Sequence, residues 1–453
     1  MTKPCDCSRR QVTRSLFAGS MLFPAVLQQM FAETGDSLAP RAPHFPGTAK
    51  RVIFMYSPGG VSHVDSFDYK PKLIAAAEAK QTTKDGVAYL RPYWEFKPRG
   101  QCGAMVSDLF PHIAESMDDV CLIRSMRGDH GDHFQAALGI HTGSVTVARP
   151  SIGSWVSYGL GTENQNLPSF VVLAPKLPYT GAQAWSSNFL PGCHSGTLVT
   201  AGSDPVPNLT RRAPTAQIEE LELGLIARLN RKHQLSRPAD PALAARIKTF
   251  ETAFGMQMEM PDVLDLSKET DSTLALYGLE RGSTKGFAWQ CIVARRLAER
   301  GVRFIELIDQ GASNNWDAHS DIRGHEPLAR NIDQPIAGLL KDLKSRGMLD
   351  DTLVVWTTEF GRTPHADAPD GRGHHNAAFS SWMAGGGAKP GTVWGETDDL
   401  GYKVAKDEVH VHDFHATILH LLGFDHTRLT FRYAGRDFRL TDVAGNVVKG
   451  LVV

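Results

Sequence analysis

Histidines and carboxylates gather in a few short segments of this chain, and that combination binds divalent cations. Gly59-Gly60 is followed by His63, Asp65 and Asp68. Arg124 and Arg127 precede Asp129, His130, Asp132 and His133, and Asp317 stands two residues before His319. Glu359 opens Glu359-Phe360-Gly361-Arg362, with Gly371-Arg372-Gly373-His374-His375 close behind. Anionic oxygen supplies charge and neutral imidazole nitrogen a directed lone pair, which suits hard and borderline divalent ions. Brought together, these groups could hold one or two ions. Taken singly, each is an ordinary cap or turn former. His325, His365, His410, His420 and His426 are read in that plain sense.

The elements that must position these groups are legible in the apolar pattern. Short strand-like runs at 51–56, 120–123, 170–173, 302–308 and 352–357 alternate with helical periodicity at 215–232, 241–258, 286–300 and 332–346. In the last of these, Ile332, Ile336, Leu339, Leu340 and Leu343 form one stripe, and Gly347 stands at the stop position. Apolar strands separated by helices predict an α/β fold with a mostly parallel sheet covered on both faces. In such sheets ligands gather at the carboxyl ends of the strands, and the acidic and histidine-bearing segments all follow predicted strands. The stretch 203–285 carries helical patterns with few strand signals, which predicts a helical insertion. Its Met256, Met258 and Met260 read as packing.

With 42% hydrophobic and 21% charged residues and a formal net charge of -1, the 453-residue chain has the composition of a globular protein with a sizeable core. The charge balance gives no reason to expect a nucleic-acid partner. No linker or repeat interrupts the chain after about residue 45, so 46–453 reads as one domain behind a 33–45 linker. Of six cysteines, Cys5 and Cys7 lie near the start and Cys102, Cys121, Cys193 and Cys291 are widely spaced. That spacing does not make a disulfide scaffold or a zinc ribbon.

At the start, Arg9-Arg10 precedes the small and apolar run Leu16-Phe17-Ala18-Gly19-Ser20-Met21-Leu22, and polar Glu33-Thr34-Gly35-Asp36 follows. A positive segment before a short apolar one predicts an export signal over 1–32, and the paired arginines resemble the twin-arginine type. A periplasmic or extracellular location and the twin-arginine export machinery as a partner are the expectations. The run is too short for a stable membrane span, which takes about 20 apolar residues.

Five motifs in fixed order resemble the exported domain-of-unknown-function family 1501, a sulfatase-like branch of the alkaline phosphatase superfamily. They are Gly59-Gly60-Val61-Ser62-His63-Val64-Asp65, Ser151-Ile152-Gly153-Ser154-Trp155, Thr358-Glu359-Phe360-Gly361-Arg362-Thr363-Pro364, Gly371-Arg372-Gly373-His374-His375 and His412-Asp413-Phe414-His415. The resemblance implies an alkaline phosphatase-like fold and metal ligands at Asp65 (with Asp68 as the alternative), Asp317, His319, Glu359 and His374, the last preferred over His375. Phe360 stands where the superfamily has a ligand histidine. Asp413 reads as a helix N-cap.

The same resemblance implies a metal-dependent hydrolase of phosphate or sulfate esters, acting on an anionic small molecule or polysaccharide ester. Zinc, manganese or calcium is expected, one ion or two. His130 or His133 is the expected proton donor or extra ligand, and Arg127 or Arg124 the partner of the substrate anion. The sulfatase nucleophile is missing, since His130-Gly131-Asp132-His133-Phe134 has no Cys, Ser or Thr at the helix start, and Ser62 and Ser125 are poorly placed substitutes. Attack by metal-activated water is therefore expected. The alternative is a surface- or carbohydrate-binding protein with a degenerate hydrolase site.

Overall fold

β-branched and aromatic runs form the strands, and in the computed structural model the central ones are buried along nearly their whole length. The structure describes residues 38–453 apart from 203, 204, 208, 210–214, 238 and 239. The export-signal segment 1–32 lies outside them. In chain order the strands that matter are β1 (Arg51–Tyr56), β2 (Val120–Arg127), β3 (Phe170–Leu173), β4 (Thr197–Val199), β5 (Phe304–Ile308), β6 (Thr352–Thr357), β7 (Gly361–Ala368), β8 (Gly371–His375), β9 (Phe379–Ala384), β10 (Thr392–Trp394) and β11 (Val409–His410).

The main sheet runs β10-β2-β9-β6-β1-β5-β3-β4, with β11 also pairing β2. Every neighbouring pair is parallel except those made by β9, which is antiparallel to β2 and β6. The chain leaves β6, makes the hairpin β7–β8 and returns as β9 with no crossover helix, so β9 must run backwards.

Helices cover both faces: α1 (His63–Ser66), α2 (Pro71–Glu78), α3 (His133–Thr142), α4 (Ile152–Leu160), α5 (Ala216–Ser236), α6 (Pro241–Leu264), α7 (Asp271–Tyr277), α8 (Phe287–Glu299), α9 (His325–Ser345) and α10 (Val411–Leu421). Alternate residues of β1 divide the core. Ile53 and Met55 pack with Ile292 of α8 and Ile336 of α9, whereas Val52, Phe54 and Tyr56 pack with Ile140 of α3, Trp155 of α4 and Ile418 of α10. The sheet is the middle of three layers, which is the α/β architecture that the apolar strands imply.

Three features extend beyond the sequence pattern. β2 continues to Arg127 because β9 and β11 flank it. α9 begins at His325, since its first turns are largely exposed and the apolar stripe starts only at Ile332. Asp413 is not the N-cap of α10: His410 is, and the Asp413 carboxylate accepts from the His410 N–H at 3.1 Å in a capping box. Among the described residues no helix is long and apolar enough to cross a membrane, and Cys102, Cys121 and Cys291 are free thiols.

A buried ion pair fixes α3 to the sheet. His141 Nε2 lies 2.8 Å from Glu306 Oε1, both side chains being about fully enclosed. Nδ1 faces the Ala137 carbonyl at 2.7 Å and so carries a proton. Burial opposes a charge on this ring, but Glu306 outweighs it and raises the pKa. The other end of α3 presents His133.

Candidate metal centre

Three adjacent strands, β6, β1 and β5, end side by side, and the loops after them build one cluster. The β1 loop approaches the β5 loop so closely that a Cβ on Gly59 would stand 2.6 Å from the backbone nitrogens of Trp316 and Asp317. Gly59 also has φ +110, where L side chains rarely go. At Gly371 in the hairpin a Cβ would collide with the His319 carbonyl. These glycines let the loops meet.

Asp317 stands at the centre. Its Oδ1 is 3.0 Å from His319 Nε2, 3.1 Å from His374 Nε2 and 2.7 Å from Arg362 Nη2, and its Oδ2 is 3.2 Å from His133 Nε2. Burial opposes the charge on Asp317, yet His133, His374 and Arg362 outweigh it and hold the carboxyl well below the usual carboxylate range.

The Nδ1 atom of each ring is already committed. His133 Nδ1 meets Glu359 Oε1 at 2.8 Å, His319 Nδ1 meets Asp367 Oδ2 at 2.6 Å, and His374 Nδ1 meets the Gly131 carbonyl at 2.8 Å. A carbonyl and an ionised carboxylate can only accept, so Nδ1 carries the proton and Nε2 keeps its lone pair in the neutral tautomer. With all three rings neutral, three imidazole lone pairs and a carboxylate converge, His319 Nε2 and His374 Nε2 being only 2.8 Å apart. His133 Nε2 is buried and faces Asp317 Oδ2. Acceptors facing acceptors are repulsive unless a cation or proton lies between them, and imidazoles fixed through Nδ1 are the usual support of a metal site.

The expected ligands divide accordingly. The ligand atoms of His133, Asp317 and His374 lie within 4.8 Å of one another, and His319 adjoins them. Glu359 does not join: it is buried, and its oxygens accept from Gly59 N–H at 2.7 Å, the Tyr56 hydroxyl at 3.1 Å, the Thr358 hydroxyl at 3.1 Å and His133 Nδ1–H. Its role is to orient His133. Asp65 is elsewhere, both oxygens taken by Arg372 at 2.7 and 3.3 Å, with Ser62 donating to one of them. Asp68 is buried against Lys70 at 3.1 Å, and His375 is turned to the Tyr402 carbonyl.

His130 is exposed, its Nδ1 accepting from Asp132 N–H at 3.1 Å. Arg127 pairs with Glu408 at 2.9 Å, and Arg124 donates to the Gly395 carbonyl at 3.1 Å.

Several further side chains pack around the cluster, and apart from Phe360 no sequence signal singles them out. Tyr179 stacks on His133 with centroids 4.2 Å apart and planes within 6°. Phe360 underlies His374 and His133 at 4.6 and 4.9 Å. Arg362 is wholly buried, its Nε on the Gly60 carbonyl at 2.9 Å and Nη1 on the Arg372 carbonyl at 3.0 Å. Asp367 and Gly131 show themselves only once the hairpin and the α3 turn are folded. Among the described residues this is the one group of three or more such ligands close enough to share an ion.

The family profile described as "Protein of unknown function (DUF1501)" matches residues 49–452. The chain belongs to that family. No curated protein matches the DUF1501 chain in sequence. Among solved structures it is similar to the alkaline phosphatase from the Antarctic bacterium TAB5 (12% identity, 84% of this chain and 99% of that one, TM-score 0.34). It is also similar to the PsFucS1 sulfatase from Pseudoalteromonas sp. (11%, 89% and 71%, TM-score 0.36) and to the lipoteichoic acid synthase LtaP from Listeria monocytogenes (8%, 91% and 80%, TM-score 0.36).

Proposed function

We propose that this chain is an exported, metal-dependent hydrolase of phosphate or sulfate esters that uses a single divalent ion and an activated water. One observation carries the reading: the Nε2 atoms of His133, His319 and His374 converge with Asp317 at the carboxyl edge of the sheet. Three nitrogens and a carboxylate suit zinc or manganese; calcium prefers about six to eight oxygens, which this set does not offer. One ion fits better than two, because Arg372 already neutralises Asp65.

The ion would supply Lewis acidity to the ester oxygen and lower the pKa of a bound water. The protein's part is to hold the ligands. Glu359, Asp367 and the Gly131 carbonyl fix the rings, Tyr179 and Phe360 confine His133, and Arg362 stiffens Asp317. Metal-activated water is preferred to a covalent route because neither serine is available: Ser62 donates to Asp65, and Ser125 donates to the Asp407 carbonyl at 2.6 Å. His130, exposed on the loop before α3, is the proton carrier of this scheme, and an anionic polysaccharide or small-molecule ester its substrate. The twin-arginine-type segment 1–32 supports a periplasmic or extracellular site of action, with the ion loaded before export.

Elemental analysis of protein purified without chelator, followed by assays on aryl phosphate and aryl sulfate with zinc or manganese, tests the proposal. Bound metal and turnover, both lost in Asp317→Ala, are expected. Metal without turnover would favour the binding-protein alternative, with which Phe360 at a ligand-histidine position agrees. Neither metal nor turnover would end the hydrolase reading.

A further inference from the structure

Helix α5 wears its apolar stripe on the wrong side for a monomer. Ile218, Leu221, Leu225 and Leu229 are 40%, 74%, 58% and 57% exposed, and their spacing of three and four residues lines them on one face. The face turned to the protein is the other one, where Glu219 is buried and Leu223, Asn230 and Gln234 are half-buried. A helix of a soluble protein ordinarily does the reverse, and an exposed apolar stripe of this extent marks an interaction surface.

Charge along α5 indicates the partner. Glu220 and Glu222 occupy its N-terminal half and Arg228, Arg231 and Lys232 its C-terminal half, all exposed. A helix so divided is complementary to itself when reversed. We propose that α5 joins two copies of this chain, packed antiparallel across a two-fold axis beside Leu225. That axis sets Leu221 against Leu229 of the second copy and Glu222 against its Arg228, twice over, as an isologous contact requires. An anionic lipid surface, the other acceptor of such a stripe, is disfavoured because Glu220 and Glu222 would be pressed against like charge.

Light scattering and sedimentation of the full chain test this. The wild type is expected to be a dimer at micromolar concentration, and Leu221→Glu/Leu225→Glu to be a monomer with unchanged circular dichroism, since both side chains are exposed. Glu222→Arg and Arg228→Glu should each weaken the dimer at least tenfold, and the double swap should restore it. A monomeric wild type overturns the proposal. So does a dimer that both swaps leave intact, a double swap without rescue, or a monomer that co-sediments with phosphatidylglycerol vesicles through Leu225.

Discussion

His319 and His374 face each other through their Nε2 atoms at 2.8 Å, while their Nδ1 atoms are spent on Asp367 and on the Gly131 carbonyl. Two segments, one in the loop after β5 and one in hairpin β7–β8 beyond β6, meet at that point. The relationship is one of lone pairs brought together against their mutual repulsion, and Asp317 adds a third acceptor. Folding stabilises such an arrangement only if something positive completes it.

Metal affinity should therefore depend on two tiers of residues. His374→Ala or Asp317→Ala is expected to abolish uptake of zinc or manganese, whereas Asp367→Asn, which loosens the His319 ring without touching the ion, should weaken it about 10- to 100-fold. Titration calorimetry on chelator-stripped protein checks the order. Equal losses in all three variants would place Asp367 among the ligands.

Proton release should accompany metal uptake. Burial opposes a charge on His133, but Asp317 and Glu359 overcome it and push its pKa up to about 9. At pH 7.5 Nε2 then holds a proton that an arriving ion must displace, so about one proton per ion is expected. Calorimetry in buffers of different ionisation enthalpy measures it. The sign for stability follows: a raised histidine pKa stabilises the metal-free fold below about pH 6.5, and that stability is lost as pH climbs through about 9.

Asp65 and Arg372 form an ion pair with 0% exposure on both sides. Removing one partner leaves an unpaired buried charge and should cost about 3–5 kcal/mol in urea unfolding. Metal content of folded Asp65→Asn should stay unchanged. If it fell to nothing at full fold, Asp65 would be a ligand after all.

These contrasts mark how far the sequence could be read. β1, β3 and β6 lie where their apolar runs predict, because strands buried on both faces need no partner information to stand out. The sequence offers Asp317, His319 and His374 as candidate donors at the carboxyl edge and His133 as a proton donor or extra ligand, and the structure brings these four side chains together. The sequence offers Asp65 and Glu359 on equal terms, but their carboxylates meet Arg372 and His133 instead. The chemistry of a carboxylate does not reveal its partner: that is set by hairpin β7–β8, whose Arg362, Asp367 and Arg372 reach back across the site. No periodicity encodes such a contact. Nothing in the sequence distinguishes Glu359 from a ligand; only the fold brings Gly59, Tyr56 and Thr358 onto its oxygens.

Asp309, just after β5, gives a test independent of metal. One oxygen accepts from Trp316 Nε1 at 2.7 Å and the other is buried without a partner. Burial raises its pKa to about 7, against which the Trp316 contact works only in part. The folded chain thus binds more protons than the unfolded one between about pH 4 and 7, and stability falls as pH rises through that window. At ~1.4 kcal/mol per pKa unit the penalty above pH 7 is at most about 4 kcal/mol. Asp309→Asn keeps the acceptor for Trp316 and removes the charge. The difference between variant and wild-type unfolding free energies should therefore grow in favour of the variant from pH 4 to 7 and then level off. Parallel profiles across that range would mean that the Asp309 carboxyl is solvated or paired in a way that its surroundings do not suggest.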